Sequence, residues 1–226
     1  GKGKNILSKI TYSASQGYKG LMAGGEKISE GNVASAKNWF EQSLMEFQGA
    51  ADQVWFFRQD PKLSRLTAAL DAGKNLSETG KIFTNIADKF QAITEKFFIQ
   101  NTGYFNTLGE IRMLAGELSR KLDAGIMSLE KIDQSYIPSE LKKQFTSGLE
   151  KLKQVQKRVR QIEKILPGII KLLGGKDGHK ILVLLQNNDE IRPTGGFIGS
   201  YLVIEMQEGL LKSMNLEDVY DIDDAF

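Results

Sequence analysis

No cysteine occurs in the 226 residues. Disulfides, thiolate metal sites and a cysteine nucleophile are therefore excluded. An exported bacterial protein can avoid stray disulfides in this way, though many cytosolic proteins also lack cysteine. Histidine is nearly absent too, His179 being the only one. A zinc site of several histidines cannot form, and a Ser-His-Asp triad would have to use His179. No apolar run approaches the roughly 18 residues needed to cross a bilayer. No signal peptide is visible, and the start, "GKGKNILSK", reads as cut just after another segment. No 34-residue helical repeat recurs. No basic motif interleaved with aromatics is present, so nucleic acid is not an expected partner.

Apolar residues make up 41% of the chain, which rules out a disordered polymer and leaves room for one or two cored domains. The net charge of +2 hides a split. Residues 205–226 hold seven acids against Lys212, while residues 139–180 hold eleven Lys or Arg against four acids.

Residues 1–166 read as helices. Asn32 is placed to cap a helix in which Val33, Ala36, Phe40, Leu44, Phe47, Ala51 and Val54 recur at helical spacing. Pro61 breaks it. Leu63, Leu66, Leu70, Ile82, Ile86, Phe90, Ile93 and Phe97 follow, with a kink or break expected at Gly73 and Gly80. "QNTGY" (100–104) reads as a turn. Tyr104, Leu108, Ile111, Ala115, Leu118, Leu122, Leu129 and Ile132 form a 4-3 repeat with a gap at Gly125. Leu141, Phe145, Leu152, Val155, Val159, Ile162 and Leu166 form a second, with Gly148 in the seam. Two helices of roughly 28 residues, about 40 Å each, joined at "YIPSE" (136–140), predict an antiparallel hairpin or coiled-coil stalk. Leu166-Pro167-Gly168 is expected to end it, with a short helix following before Gly174-Gly175.

The period then changes. "KILVLLQN" (180–187) reads as a strand buried on both faces, "GFIGSYLVIEMQ" (196–207) as a second strand, Glu208-Gly209 as a turn and "LLKSMNLEDVYDI" (210–222) as a third. Three strands make a poor independent sheet. The expectation is an α+β chain: a helical bundle or stalk at 1–166, then the first strands of an α/β domain at 167–226, truncated at its C-terminal end.

Between the first two strands stands "QNNDEIRPTGGF". Asn187 and Asn188 tolerate left-handed backbone and bond locally. Glu190 and Arg192, two apart, share a side in extended chain. Thr194, Gly195 and Gly196 offer backbone N–H groups and close approach. Two readings stand. In one, the loop is a structural clasp in which Glu190 and Arg192 pair with neighbours. In the other, Arg192 is the fork of an anion site with Thr194, Gly195 and Gly196 as its amide nest. The G-x-G-x-x-G and G-x-x-x-x-G-K-[ST] phosphate loops are absent here.

The stretch from Ile181 to Leu211 with "DVYDID" (218–223), preceded by "ILPGIIKLLGG", resembles over about residues 166–224 a bacterial domain-of-unknown-function family, the one numbered four-zero-one-two. Its hallmark, L-x-x-x-Q-N-N-x-E-x-R-x-T-G-G-F, is matched by Leu182, Gln186, Asn187, Asn188, Glu190, Arg192, Thr194, Gly195, Gly196 and Phe197, with Asp189 inside it. The resemblance implies a bacterial cell-envelope protein with an N-terminal membrane helix, a helical region and an extracytoplasmic α/β domain. The lysine-rich start would lie just outside that anchor, and no activity is implied. A second similarity concerns the order strand, Asp-and-Arg loop, strand, turn, strand, shared with the LytR-CpsA-Psr ligases. These transfer wall polymers from polyprenyl pyrophosphate, using arginines and magnesium. Asp189 and Arg192 would answer to their first Asp and Arg. The spacing differs, and Gly199-Ser200 stands where those enzymes place a metal-binding Asp.

At the acidic end, Asp218, Asp221 and Asp223 could hold a divalent cation, although a solvated strand end also accounts for them. The basic helix, with Lys142, Lys143, Lys151, Lys153, Lys157, Arg158 and Arg160, reads as the wet face of a coiled coil or as a contact with anionic lipid or wall polymer. Three functions remain open: an envelope protein that binds or scaffolds a glycan, lipid or protein; a magnesium-dependent polyprenyl-pyrophosphate transferase; and a purely structural stalk. No cofactor is implied except magnesium under the second.

Overall fold

The computed structural model describes residues 2–56, 66–99, 104–173, 177–187, 189–190 and 195–220. Among them are five α-helices: α1 (Lys2–Ser29), α2 (Val33–Phe56), α3 (Thr67–Ile99), α4 (Phe105–Glu130) and α5 (Ser139–Leu172). A 3-10 turn, Gln134–Tyr136, lies between α4 and α5. Three strands follow: β1 (His179–Asn187), β2 (Phe197–Gln207) and β3 (Leu210–Asp218). The α+β class and the order of helices before strands are those expected. Contacts divide the chain into two compact units, residues 1–91 with 113–163, and residues 92–112 with 164–226.

In the first unit each helix runs antiparallel to the one before it. Asn32 caps α2 as anticipated, its Oδ1 accepting from the Ser35 N–H at 3.0 Å. The core of α1, α2 and α3 rests on a seven-residue spacing present in all three helices. Phe47 of α2 lies against Gly17 of α1 and Gly73 of α3; Phe40, one heptad earlier, lies against Gly24 and Gly80. A Cβ at any of these four glycines would come within 3.0 Å of the ring. Between the rings Ser43 is fully buried, its Oγ donating to the Gly17 carbonyl at 2.6 Å and lying 2.7 Å from Ser77 Oγ. A buried hydroxyl needs such partners. No break occurs at Gly73 or Gly80: α3 is continuous from Thr67 to Ile99. Those glycines cost helix propensity but make room for the two rings, and burial of the rings outweighs it.

α4 and α5 form the expected antiparallel hairpin. Glu130 pairs with Lys153 at 2.8 Å and Asp123 with Arg160 at 2.8 Å, so the contacts step in opposite directions along the two helices. The α4 seam is buried from Tyr104 to Leu122, and the gap at Gly125 is filled by buried Ile126. The α5 seam differs from the expected one. Leu141, Val155 and Ile162 are exposed, whereas Leu152 and Val159 are half-buried. α5 also runs through Pro167 to Leu172 instead of ending at Leu166. Proline removes only the N–H that would bond the Glu163 carbonyl, and buried Leu166 and Ile170 on either side hold the helix. Pro61 and most of the 100–104 turn lie outside the described residues, as do Gly174-Gly175.

In the second unit the strands form an antiparallel meander, β1-β2-β3. The β2–β3 turn, Glu208-Gly209, has φ of 54° and 83°, the doubly left-handed geometry that matches strand twist. It is held on both sides: the Glu208 carbonyl accepts from Tyr104 N–H at 2.8 Å, and Gly209 N–H donates to the Leu173 carbonyl at 2.9 Å. Tyr104, Leu108, Ile111, Leu166, Ile170 and Leu210 are buried in this unit. β1 is not buried on both faces as its composition suggested. Ile181 and Val183, on one face, are half-buried, and Leu182 and Leu184, on the other, are exposed, as is Leu185, so only one face of the strand is partly covered. β3 ends at Asp218, four residues earlier than expected.

Candidate functional site

β1 and β2 diverge at the end of the sheet opposite the held turn. At about 3.3 Å per residue the eleven residues of β2 put roughly 33 Å between the two ends. Gln186 pairs with Ile198 and Asn187 with Phe197, after a bulge that leaves Gly199 as the extra residue of β2. The described part of the polar loop is tightly built. Asn187 Oδ1 accepts from the Asp189 N–H at 3.1 Å, an Asx turn that starts the excursion. Gly195 has φ of 102°, where a side chain is strained. Gly196 is buried, and a Cβ there would lie 2.6 Å from the Asn187 carbonyl oxygen and 2.9 Å from Gln186 Cγ. The hallmark residues Gln186, Asn187, Gly195 and Gly196 are thus mutual neighbours. Gln186, Asn187, Asp189, Glu190 and Gly195 are exposed. Asn188, Arg192 and Thr194 lie outside the described residues.

Phe197 and Tyr220 stack in tilted fashion, ring centroids 6.2 Å apart, and Val219 N–H donates to the Gly199 carbonyl at 3.1 Å. These contacts bring the end of β3 to the same edge. Asp218 stands there, but its Oδ1 accepts from the Tyr220 N–H at 3.0 Å, so part of its oxygen capacity serves a turn. Asp221 and Asp223 lie outside the described residues. Among the described residues no group of three or more His, Asp or Glu is placed to hold a metal ion. Glu217 bonds the Tyr201 hydroxyl, and Glu205 accepts from Ser213 Oγ at 3.3 Å. Sequence reasoning did not single out Tyr201 or Tyr220; the run Glu217-Asp218-Val219-Tyr220 at the end of β3 was the available signal.

His179 is exposed at the opposite end of β1, eight residues or about 26 Å from Asn187. On α5, Lys153 is paired with Glu130. The hydrogen bond to that carboxylate, and then its charge, raise the Lys153 ammonium above its ordinary pKa. No described helix is long and apolar enough to cross a membrane.

Residues 176–225 match the model of a family described as "Protein of unknown function (DUF4012)". The match takes in all three strands and the whole polar loop, and none of the five α-helices. No curated protein and no solved structure matches the chain. Similarity to the LytR-CpsA-Psr ligases finds no support in these comparisons.

Proposed function

We propose, taking the sheet as a member of that family of unknown function, that the chain is the extracytoplasmic part of a membrane-anchored protein of the bacterial cell envelope, and that the β1–β2 end is where it binds. One observation carries this reading: the described hallmark residues Gln186, Asn187, Gly195, Gly196 and Phe197 are neighbours at the β1–β2 end of the sheet, opposite the turn held by Tyr104 and Leu173. Polar residues on a loop positioned by a rigid scaffold are the usual form of a contact site. Arg192 supplies a fork for phosphate or carboxylate there, and Thr194, Gly195 and Gly196 the neighbouring amides. The chain's only histidine stands at the far end of β1, so the loop cannot draw on it as a base. The absence of cysteine agrees with export.

Thermal melts with and without pyrophosphate and magnesium test the binding end. The parent protein should gain melting temperature with the ligand. Arg192→Ala should melt like the parent without ligand and lose the gain, since a lost charged hydrogen bond costs roughly 1.5–3 kcal/mol of binding. If Arg192→Ala and Glu190→Gln are each strongly destabilised, by about 3–5 kcal/mol, and the parent shows no ligand effect, the loop is a structural clasp and the binding reading fails.

A further inference from the structure

α5 carries an exposed stripe that the helical hairpin does not use. Lys151, Val155, Arg158 and Ile162 stand at i, i+4, i+7 and i+11, one side of an α-helix. All four are exposed, Val155 at 48% and Ile162 at 55%. The seam against α4 runs elsewhere, through Leu152, Gln156 and Val159, with Gln156 Nε2 donating to Asp123 Oδ1 at 2.6 Å. Two of the helix's cations, Lys153 and Arg160, are neutralised by Glu130 and Asp123. Lys142, Lys143, Lys151, Lys157 and Arg158 are exposed and make no ion pair among the described residues. Glu140, Glu150 and Glu163 are the acids of this part of the helix.

We infer that this face of α5 lies on an anionic lipid bilayer. Uncompensated cations alone would suit any polyanion. A stripe that alternates cation, branched apolar, cation, branched apolar suits an interface offering both anionic headgroups and acyl chains. A soluble polyanion gains nothing from Val155 and Ile162. A second copy of α5 laid in parallel along the stripe would set Lys151 on Lys151 and Arg158 on Arg158, which disfavours that pairing. The stripe lies on a different element from the β1–β2 loop, and the inference does not depend on what that loop binds.

Co-sedimentation of the full chain with vesicles tests it. The protein should pellet with equimolar phosphatidylglycerol and phosphatidylcholine, not with phosphatidylcholine alone, and less as salt is raised. Each cation near an anionic surface contributes about a fivefold factor, so Lys151→Gln with Arg158→Gln should weaken binding on the order of 25-fold. Lys151→Arg with Arg158→Lys, which keeps charge and helix, should bind as the parent does. Val155→Ser with Ile162→Ser should weaken vesicle binding and leave binding to long-chain polyphosphate unchanged. Equal pelleting with both vesicle types, or full binding by the Gln pair, would overturn the inference. So would full vesicle binding by the Ser pair, which would make the partner a soluble polyanion.

Discussion

Glycine does two opposite things in this chain, and single substitutions separate them. Gly49 sits in α2 with open space where a Cβ would go, so Gly49→Ala should stabilise by up to about 1 kcal/mol through helix propensity alone. Gly73 has the same helical backbone, but a Cβ there meets the Phe47 ring. Overpacking costs about 1–3 kcal/mol and should outweigh the propensity gain, so Gly73→Ala should lower the denaturation midpoint where Gly49→Ala raises it. Gly196→Ala belongs with the second kind. Its Cβ would meet the Asn187 backbone oxygen, which cannot rotate away, so the end of the β1–β2 hairpin must open. Hydrogen exchange at Asn187 and Phe197 should rise in that variant even if global stability falls only modestly. On α5, Lys153 titrates above its ordinary pKa because Glu130 of α4 holds it. Any stability from that pair is present at neutral pH and is lost as pH rises through the raised lysine pKa.

At the scale of elements, periodicity was legible in the sequence wherever packing is local. The α2 positions Ala36, Phe40, Phe47 and Val54, the α4 seam from Tyr104 to Leu122 and the three strands all follow from spacing. What was not legible depended on neighbours distant in sequence. Gly73 and Gly80 weaken α3 in isolation, and only the rings of Phe47 and Phe40 explain why it does not break. The matching intervals Gly17–Gly24, Phe40–Phe47 and Gly73–Gly80 were nevertheless visible. Pro167 marks a stop by local rules, yet the packing of Leu166 and Ile170 carries α5 past it. The candidate site was partly legible for the same reason. Gln186, Asn187, Gly195 and Gly196 were singled out as a motif, but their mutual packing comes from strand register, which spacing alone does not fix. The β2–β3 turn offers a further check. Glu208 adopts a left-handed conformation that costs a non-glycine residue about 1–2 kcal/mol. Glu208→Gly should therefore raise the melting temperature slightly, the unfolded-state entropy of glycine offsetting part of the gain.

At the scale of the whole molecule, the envelope reading joins features that no single element explains: a cysteine-free chain, a basic helix and a sheet that matches the family model. Protease accessibility in intact cells, read on the full-length protein after fractionation, tests that reading most directly. The account predicts that the protein sediments with membranes and that protease added outside the cells cleaves it. Recovery as a soluble, protease-protected protein of the cytosol would contradict it.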